Sequence, residues 1–580
     1  AYLQSWDGIM HALRFADGTE VWSFQSDFQP GAGFPDASSA HVENVNGRDL
    51  VLFGAGEWLY ALDAVTGAQV WRFAAGTGCV DGLGHPPGLC GFGNERNEVL
   101  SSPIVADGKV FVGMDVNDVA RGKGGFYAVD VETGLLDWYF DLESGKTCHT
   151  QPGDAITHFD GYHSEAELGL PTGFRARPGC DFPFSRYGCS NVWSSAALDV
   201  ERGALFTASS NCDTDNDPST NEPPPPMPAF DEAIFSLDLD GNVRWRWRLR
   251  EVDNSDFAYG AVPNLFTIDR GDGPIDVVGV GNKDGRYTVI DRDGVNRESG
   301  VAWDDADPSA LPYWSTRVVN GGAFGGVLAT ASVDEVRRRV YFTTAPGDTQ
   351  IEVLNPQRPT VHALDLDTGA IAWDTGLTGN DDASFGPTSS VPGLMFAGST
   401  FSATLRGFET QGDTGIRRLS RRLFTSPIGI GDAIASGAVV INGNILVGTG
   451  VGFRGPNPSD PADQVSRIPS PIVALCIPGQ PGCSIPPWRL SDLDDDLDVD
   501  DADQAIFTGA LGSHAGAPAF VDRADLDRDG AVTLADYQIW ISGQRQYQLS
   551  QACGLLGIEP VILLGVMRLV QRRRARARGE

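Results

Sequence analysis

Acidic residues near the carboxyl end of the chain recur at the spacing of a cation-binding loop. Asp525, Asp527, Asp529 and Asp536 occupy the first, third, fifth and twelfth positions of such a loop, and Gly530 occupies the sixth. Oxygen donors at these positions can surround one calcium ion, and glycine at the sixth position permits the sharp turn that the loop needs. The spacing therefore predicts a calcium (Ca²⁺) site in this segment.

A second loop of the same kind lies upstream. Asp492, Asp494, Asp496 and Asp503 stand in the same frame, although Leu497 replaces the glycine. Two such loops 33 residues apart resemble a dockerin module. The resemblance implies folding coupled to calcium binding and a cohesin-like protein partner. The alternative is a run of solvated acidic residues.

Most of the remaining chain is organised by a repeated pattern. The segment YALDAVTGAQVW at 60–71 places Ala, Asp, Thr-Gly and Trp at fixed offsets, and the same frame returns at 127–138 and 362–373. Looser copies end at Trp22 and Trp245 or lie at 287–294, 404–415 and 472–479, which makes eight copies.

Each copy predicts two strands joined by a tight turn. The Asp side chain can accept hydrogen bonds from backbone amides ahead of it, and the Gly adopts the positive φ that closes the turn. The Trp is a large apolar surface that the neighbouring repeat must cover. Another strand pair precedes each copy, as at 101–115. The sequence therefore predicts an all-β, eight-bladed β-propeller.

The repeat is similar to the tryptophan-docking motif of the pyrroloquinoline quinone (PQQ) dehydrogenase propellers and their non-catalytic relatives. The resemblance covers roughly residues 1 to 480, and DFAYGAVPNLF at 256–266 is closest to the polyvinyl alcohol dehydrogenase branch. It implies an alcohol dehydrogenase that uses PQQ as cofactor and Ca²⁺ as the ion beside it.

The resemblance also implies roles for individual residues. Within the stretch 191–213, Trp193 matches the floor on which the quinone stacks and Asn211 matches a metal ligand. An indole is a flat apolar surface, and an amide oxygen suits calcium without adding charge. Asp115 and Asp118 are the candidates for the acidic calcium ligand. The alternative for Trp193 is one more tryptophan that packs between blades.

Two further positions match functional residues of the family. Asp256 takes the place of the base that removes the alcohol hydroxyl proton, although the His-Asp-x-Trp context that precedes it in the family is absent. Lys283 takes the place of the cation that contacts the quinone oxygens, the alternative being a solvated lysine in a turn. We expect Trp193, Asn211, Asp256 and Lys283 to converge at one end of the central channel.

The overall charge restricts the partners of the chain. The formal net charge is -34, from 77 acidic and 43 basic residues. Nucleic acid and anionic membrane surfaces would repel such a protein, so we exclude both as general partners.

Cysteine usage indicates an extracytoplasmic protein. None of the nine cysteines forms a CxxC or CxxCH motif, which argues against zinc and covalent haem and implies a separate electron acceptor. We predict up to four disulfides, with Cys79–Cys90 and Cys476–Cys483 closing local loops. The pairing among Cys148, Cys180, Cys189 and Cys212 stays open, and Cys553 stands alone.

Changes in composition divide the chain into three parts. We predict a propeller at 1–484 and a small α-helical, dockerin-like calcium-binding module at 485–547. The first residues of the propeller lie within a blade, which indicates that the N-terminus is trimmed or incomplete. The tail at 548–580 has a short motif, an apolar run and a basic cluster. It resembles the C-terminal sorting signals of Gram-negative surface proteins, which implies transient membrane contact. The alternative is an ordinary amphipathic tail.

Two classes of function fit these features. The first is an extracytoplasmic dehydrogenase that uses PQQ and calcium to oxidise a secondary or polymeric alcohol. The second is a non-catalytic surface propeller that binds or scaffolds a partner recruited by the dockerin-like module. Propellers serve both classes, so the fold does not choose between them.

Overall fold

The computed structural model describes most of the strands and the two C-terminal helices. The described residues are 1–5, 8–15, 18–26, 38–56, 58–74, 99–115, 125–142, 145–149, 191–211, 230–250, 257–296, 301–302, 312–322, 325–345, 359–375, 384–400, 404–410, 416–422, 432–434, 436–441, 444–451, 472–476, 491–494, 499–515, 517–526 and 530–556.

Eight antiparallel sheets follow one another along the chain as the blades of a β-propeller, and the first four are built as follows. Blade 1 contains β1 (Tyr2–Gln4), β2 (Ile9–Leu13) and β3 (Glu20–Gln25); blade 2 contains β4 (His41–Val45), β5 (Arg48–Ala55), β6 (Trp58–Asp63) and β7 (Gln69–Ala74). Blade 3 contains β8 (Ile104–Ala106), β9 (Lys109–Met114), β10 (Gly125–Asp130), β11 (Leu136–Asp141) and β12 (Lys146–His149); blade 4 contains β13 (Ala197–Asp199), β14 (Ala204–Ala208), β15 (Ala233–Asp238) and β16 (Val243–Arg248).

The remaining four blades repeat this order of strands. Blade 5 contains β17 (Asn264–Asp269), β18 (Pro274–Gly281), β19 (Arg286–Asp291) and β22 (Trp314–Arg317), with the hairpin β20 (Val295–Asn296) and β21 (Val301–Ala302) inserted. Blade 6 contains β23 (Ser332–Asp334), β24 (Arg339–Thr343), β25 (Val361–Asp365) and β26 (Ile371–Asp374); blade 7 contains β27 (Ser389–Val391), β28 (Leu394–Gly398), β29 (Thr404–Glu409) and β30 (Ile416–Arg422). Blade 8 contains β32 (Val439–Ile441), β33 (Asn444–Gly448) and β35 (Ile472–Cys476), and β31 (Asp432–Ala433) pairs with β34 (Gly450–Val451).

The apolar core lies between neighbouring blades and not within one sheet. One buried cluster joins Leu52 and Trp71 of blade 2 to Val112 of blade 3, and comparable clusters join blade 3 to 4, 4 to 5, 5 to 6 and 6 to 7. The first strands β13, β17, β23 and β27 also contact one another in sequence. The first strands are therefore innermost, as in other propellers.

Tryptophans of the repeat dock onto the next blade, which confirms the prediction from the repeat. The Nε1 atom of Trp71 donates to the main-chain oxygen of Val131 at 3.0 Å, and its ring lies against Gly134. The same bond runs from Trp22 to Ala64, Trp138 to Leu239, Trp245 to Arg292 and Trp314 to Leu366, at 2.8–3.0 Å. Each indole thus places its ring against the glycine of the next turn and satisfies its N–H in one contact.

The turns of the repeat have the predicted hydrogen bonds. The Oδ1 atom of Asp130 accepts from the amide and the hydroxyl of Thr133, and Asp63 accepts in the same way from Thr66. At Asp63 the hydrogen bond from Arg48, followed by those from Thr66, lowers the pKa to about 2. The carboxylate is therefore a fixed acceptor at neutral pH.

The fifth blade differs from the sequence pattern. The copy at 287–294 has a turn but no tryptophan at the expected offset, because the β20–β21 hairpin is inserted before the fourth strand. Trp314 on that fourth strand supplies the docking ring. The insertion conceals the motif in the sequence without changing the contact.

The chain forms two compact units, 1–438 with 447–473 and 439–446 with 474–580. In the second unit, helices span Asp501–Ala510 and Leu534–Leu556, and a short 3₁₀ helix spans Asp522–Ala524. Leu493, Phe507, Val532 and Trp540 are buried together as an apolar cluster of their own. The second helix runs beyond residue 547, where we predicted the module to end.

Two findings concern other predictions from the sequence. Neither described helix is long and apolar enough to cross a membrane. Cys148 is buried and disulfide-bonded. The local disulfides 79–90 and 476–483 stay predictions, because Cys79, Cys90 and Cys483 lie outside the described residues.

Candidate functional site

Three of the candidate residues occupy equivalent places in successive blades. Asp115 follows β9 of blade 3, Asn211 lies three residues after β14 of blade 4, and Lys283 lies two residues after β18 of blade 5. All three side chains belong to buried residues. Because each is at the end of the second strand of its blade, all three lie at the same end of the propeller; we call them the strand-end residues.

Hydrogen bonds join the strand ends to the segments that lead into the blades. The amide of Val192 donates to Met114 at 3.0 Å, and the amide of Tyr259 donates to Ser209 at 3.3 Å. These bonds connect blade 3 to blade 4 and blade 4 to blade 5. The strand-end residues are thus held on one continuous hydrogen-bonded backbone, which limits their relative movement.

Trp193 lies on the segment that leads into blade 4 and differs from the docking tryptophans. Its residue is half-buried, and within the described residues its Nε1 atom has no hydrogen bond to a neighbouring turn. Its six-membered ring lies against Gly260 of the segment leading into blade 5, where a Cβ atom would be 2.3 Å from the Trp193 Cη2 atom. A glycine is therefore required for the indole to lie across this junction.

The backbone of Lys283 is tightly enclosed. Its amide donates to Ala258 at 3.1 Å, and its carbonyl accepts from Gly322 at 3.1 Å. A Cβ atom at Gly321 would be 1.6 Å from the Lys283 oxygen, and one at Gly326 would be 2.0 Å from it. The main chain that carries this cation therefore has little freedom, whatever its side chain contacts.

A cluster of buried charged and amide groups lies beside the strand ends. The guanidinium of Arg250 donates through Nη1 to the carboxylate of Glu232 and through Nη2 to the Oδ2 atom of Asp284, the latter at 2.7 Å. The same guanidinium lies 4.5 Å from the centre of the Phe257 ring. The amide of Asn282 donates to the Phe257 oxygen at 2.6 Å and to Glu232 at 3.3 Å. We call Glu232, Arg250, Asn282 and Asp284 the buried charge cluster.

Tyr259 is a fully buried phenol near this cluster. Burial, followed by the charges of Glu232 and Asp284, raises the pKa of Tyr259 well above its usual range. Its hydroxyl has no hydrogen-bond partner within the described structure. The phenol therefore stays neutral at physiological pH.

The surroundings of Trp193 and Asn211 fit a planar ligand with polar oxygens. Ser194 and Ser210, each next in sequence to one of these residues, are 5% and 4% exposed, and their hydroxyls have no partner within the described structure. A buried hydroxyl without a partner is costly unless a ligand or water binds it. A flat indole, a cation, an amide oxygen and two hydroxyl donors match the chemistry of PQQ with a calcium ion.

Some candidates cannot be placed. Asp118 and Asp256 lie outside the described residues, as do Asp496, Asp527 and Asp529 of the C-terminal loops. Their roles stay predictions, as does the convergence of Trp193, Asn211, Asp256 and Lys283 at one end of the central channel.

The two acidic loops have the same internal hydrogen bonds. Asp503, at the twelfth position of the first loop, accepts from the amides of Leu493 and Asp500, at the second and ninth positions. Asp536 of the second loop accepts from Leu526 at 2.5 Å and from Thr533 at 2.7 Å, which are again the second and ninth positions. Each helix begins at the tenth position of its loop.

Carboxylates converge within the first loop, and the second loop has the predicted turn. Ligand oxygens of Asp492, Asp494 and Asp503 lie within 4.8 Å of one another. Gly530 has a φ of 88°, and its amide donates to Asp525 at 2.9 Å. The glycine at the sixth position thus has the left-handed conformation that the spacing predicts.

Sequence reasoning missed the buried charge cluster. The pair Asp231–Glu232 precedes the apolar strand β15, and Arg250 lies two residues after β16, a strand of alternating Trp and Arg. Charged residues beside an apolar strand were a signal that a buried ion pair was present. The spacing could not show which residues pair, because the partners belong to different blades.

Comparison with known sequences finds quinone-dependent dehydrogenases. The family model described as PQQ, glucose/ethanol/alcohol dehydrogenase, β-propeller domain, matches residues 1–295. A polyvinylalcohol dehydrogenase of Pseudomonas sp. is 23% identical over 443 residues, which cover 70% of this chain and 58% of that protein. A second, from Sphingopyxis sp., is 23% identical over 60% of this chain and 49% of its own length. The chain therefore spans about half the length of these relatives.

Comparison with solved structures supports the fold alone. A europium-containing methanol dehydrogenase is similar with a TM-score of 0.52 and 14% identity, covering 78% of this chain and 81% of that one. A quinohemoprotein alcohol dehydrogenase from Pseudomonas putida HK5 is similar with a TM-score of 0.51 and 17% identity, covering 96% of this chain and 88% of that one.

Proposed function

The chain belongs to the PQQ family of glucose/ethanol/alcohol dehydrogenase β-propellers, and on that premise we propose that it is an extracytoplasmic PQQ- and calcium-dependent dehydrogenase of a secondary or polymeric alcohol. The observation that supports the proposal is the placement of Asn211 and Lys283 at equivalent strand ends of adjacent blades, with the ring of Trp193 lying against Gly260 of the segment that connects those blades. The polyvinylalcohol dehydrogenases among the relatives favour a polymeric alcohol.

Each residue would act through its own chemistry. Trp193 presents a flat apolar face against which a ring system can stack, and Lys283 presents a cation toward oxygens that gain negative charge. The amide oxygen of Asn211 and the carboxylate of Asp115 are suitable calcium ligands. Asp256 would accept the hydroxyl proton of the alcohol. PQQ, when bound, accepts the two electrons and hydrogen from the alcohol carbon.

Reconstitution tests this proposal. The purified protein is incubated with PQQ and calcium, and dye-linked oxidation of 2-propanol and of polyvinyl alcohol is measured. We expect turnover that requires both additions, and we expect Asp256→Asn to abolish turnover while PQQ still binds. Absence of PQQ binding would contradict the proposal and favour a non-catalytic surface propeller.

A second proposal concerns the C-terminal unit. We propose that its two loops each bind one calcium ion and that the loaded unit recruits a cohesin-like protein. The convergence of Asp492, Asp494 and Asp503 within 4.8 Å supports the first site, and the matching hydrogen bonds of Asp536 support the second. The test is the calcium stoichiometry of the full chain and of variants at the twelfth positions of the loops.

A further inference from the structure

We infer that Arg250 is a positioning residue, which fixes the backbone segments on which the candidate cofactor contacts depend. The inference rests on the proposed function. Arg250 lies two residues after the fourth strand of blade 4, and its side chain is only 20% exposed. It joins groups of two blades through one guanidinium.

The first of its contacts supports the segment of Asn211. Glu232 is fully buried, has a φ of 44°, and donates its amide to the oxygen of Ser210 at 3.0 Å. Its carboxylate binds Nη1 of Arg250. Holding Glu232 therefore holds the residue next to Asn211.

The second contact supports the segment of Lys283. Asp284, which follows Lys283, is 1% exposed and receives Nη2 of Arg250 at 2.7 Å. The amide of Asp284 also receives support from Asn282, whose side-chain oxygen accepts it at 2.8 Å. Displacing the Asp284 carboxylate would therefore move the main chain that carries the lysine.

The third contact lies on the segment leading into blade 5. The guanidinium packs 4.5 Å from the ring centre of Phe257, and Gly260, three residues further on, is the glycine against which Trp193 lies. A planar guanidinium can fork between two carboxylates and stack on a ring at once, whereas an ammonium cannot. Arg250 thus links all three segments in a way that lysine could not reproduce.

The structure provides a matched control. Arg317 also binds the Oδ2 atom of Asp284, at 3.3 Å, but its side chain is 44% exposed and it does not contact Glu232. Arg317→Gln removes a guanidinium from the same carboxylate without breaking the link between segments. Tyr259→Phe is a second control, because it removes a buried hydroxyl that has no partner in the described structure.

The experiment compares these variants in the full chain. Hydrogen exchange of the Glu232 and Lys283 amides is measured without PQQ, and the PQQ dissociation constant is measured by absorbance with calcium present. We expect Arg250→Gln and Arg250→Lys to accelerate exchange at both amides and to weaken PQQ binding about tenfold or more, since small displacements of positioned groups have effects of this size. Both controls should stay within about threefold of wild type.

A combined variant separates positioning from folding. Arg250→Gln takes the Arg250 cation away from two buried carboxylates, those of Glu232 and Asp284, of which Asp284 keeps Arg286 and Arg317. This loss of an ion pair can lower stability for that reason alone. Glu232→Gln with Arg250→Gln removes one of those charges, so we expect the thermal midpoint to recover while PQQ binding stays weak. Recovery of wild-type PQQ affinity in the combined variant, or unchanged amide exchange in Arg250→Gln, would overturn the inference. If the wild type does not bind PQQ, the proposed function is overturned, and the role of Arg250 toward the cofactor is overturned with it. Hydrogen exchange of the Glu232 and Lys283 amides would still decide whether Arg250 fixes the backbone segments.

Discussion

The indole Nε1 of Trp314 donates a 2.8 Å hydrogen bond to the main-chain oxygen of Leu366, and its ring covers Gly369 in the turn of the next blade. This contact is the same as that of Trp71 with Val131, although Trp314 lies outside any copy of the repeat in the sequence. Docking between blades is therefore a property of the fold that survives an insertion within the blade.

Replacing Trp314 by phenylalanine should destabilise the propeller. The variant loses the indole donor and leaves the Leu366 oxygen without it, at a cost of about 1–2 kcal/mol, in addition to the smaller ring. Trp193→Phe is the comparison, because Trp193 makes no docking bond in the described structure. We expect the urea midpoint to fall clearly in the first variant and by less than half as much in the second. Equal shifts would contradict the docking role.

Two glycines with the same φ angle allow the cost of a contact with a docking tryptophan to be separated from the cost of backbone strain. Gly134 and Gly108 both have a φ of 72°, but a Cβ atom at Gly134 would be 2.6 Å from Trp71, whereas nothing lies within 4 Å of one at Gly108. Alanine at either position costs about 1–2 kcal/mol for the left-handed conformation. Gly134→Ala should cost about 1–3 kcal/mol more, because Trp71 must shift. Thermal unfolding of the two variants measures the difference, and equal midpoints would show that the ring adapts freely.

His362 should make the stability of the propeller depend on pH. Its ring is fully buried, and burial lowers its pKa from 6.5 to about 3. Below pH 6.5 the His362 ring is therefore protonated in the unfolded chain but stays neutral in the folded chain. The contribution of this residue to the free energy of unfolding is fully present above pH 6.5 and falls as the pH decreases toward 3. At 1.36 kcal/mol per pH unit, the loss between pH 6.5 and 4.5 is roughly 2–3 kcal/mol.

The measurement is the urea midpoint of wild type and His362→Gln at pH 7 and pH 4.5. Glutamine retains a polar partner for Thr344, whose hydroxyl lies 2.9 Å from the His362 Nε2 atom. We expect a smaller pH dependence in the variant. An unchanged difference between the two pH values would assign the acid sensitivity to carboxylates instead.

The twelfth-position aspartates should each control one calcium site. We expect Asp503→Ala and Asp536→Ala each to remove one equivalent of calcium in titration calorimetry of the full chain. Asp501→Ala is the control, because Asp501 is exposed at the start of the helix and lies outside the group of converging carboxylates. If both variants bind as much calcium as wild type, the loops are not calcium sites.

Local patterns were enough to predict the blade architecture. In each repeat the Asp accepts the hydrogen bonds of a tight turn and the Gly that follows Thr has a positive φ. The Trp ring is covered by the neighbouring repeat. The spacing also predicted the left-handed Gly530 in the second acidic loop. Such features depend on residues a few positions apart, where covalent geometry limits the possible structures.

Tertiary structure alone decided which distant residues meet. Arg250, Glu232 and Asp284 carry no common spacing in the sequence, yet the closing of blade 4 against blade 5 brings their charges into one buried cluster. Trp193 and Gly260 meet for the same reason, and Trp314 meets Leu366 in the same way although a hairpin is inserted before its strand. The sequence by itself determined the repeat, its turns and the chemical types at the strand ends. The contacts between blades depended on how the sheets pack, because the free energy of burial acts on surfaces and not on distance along the chain.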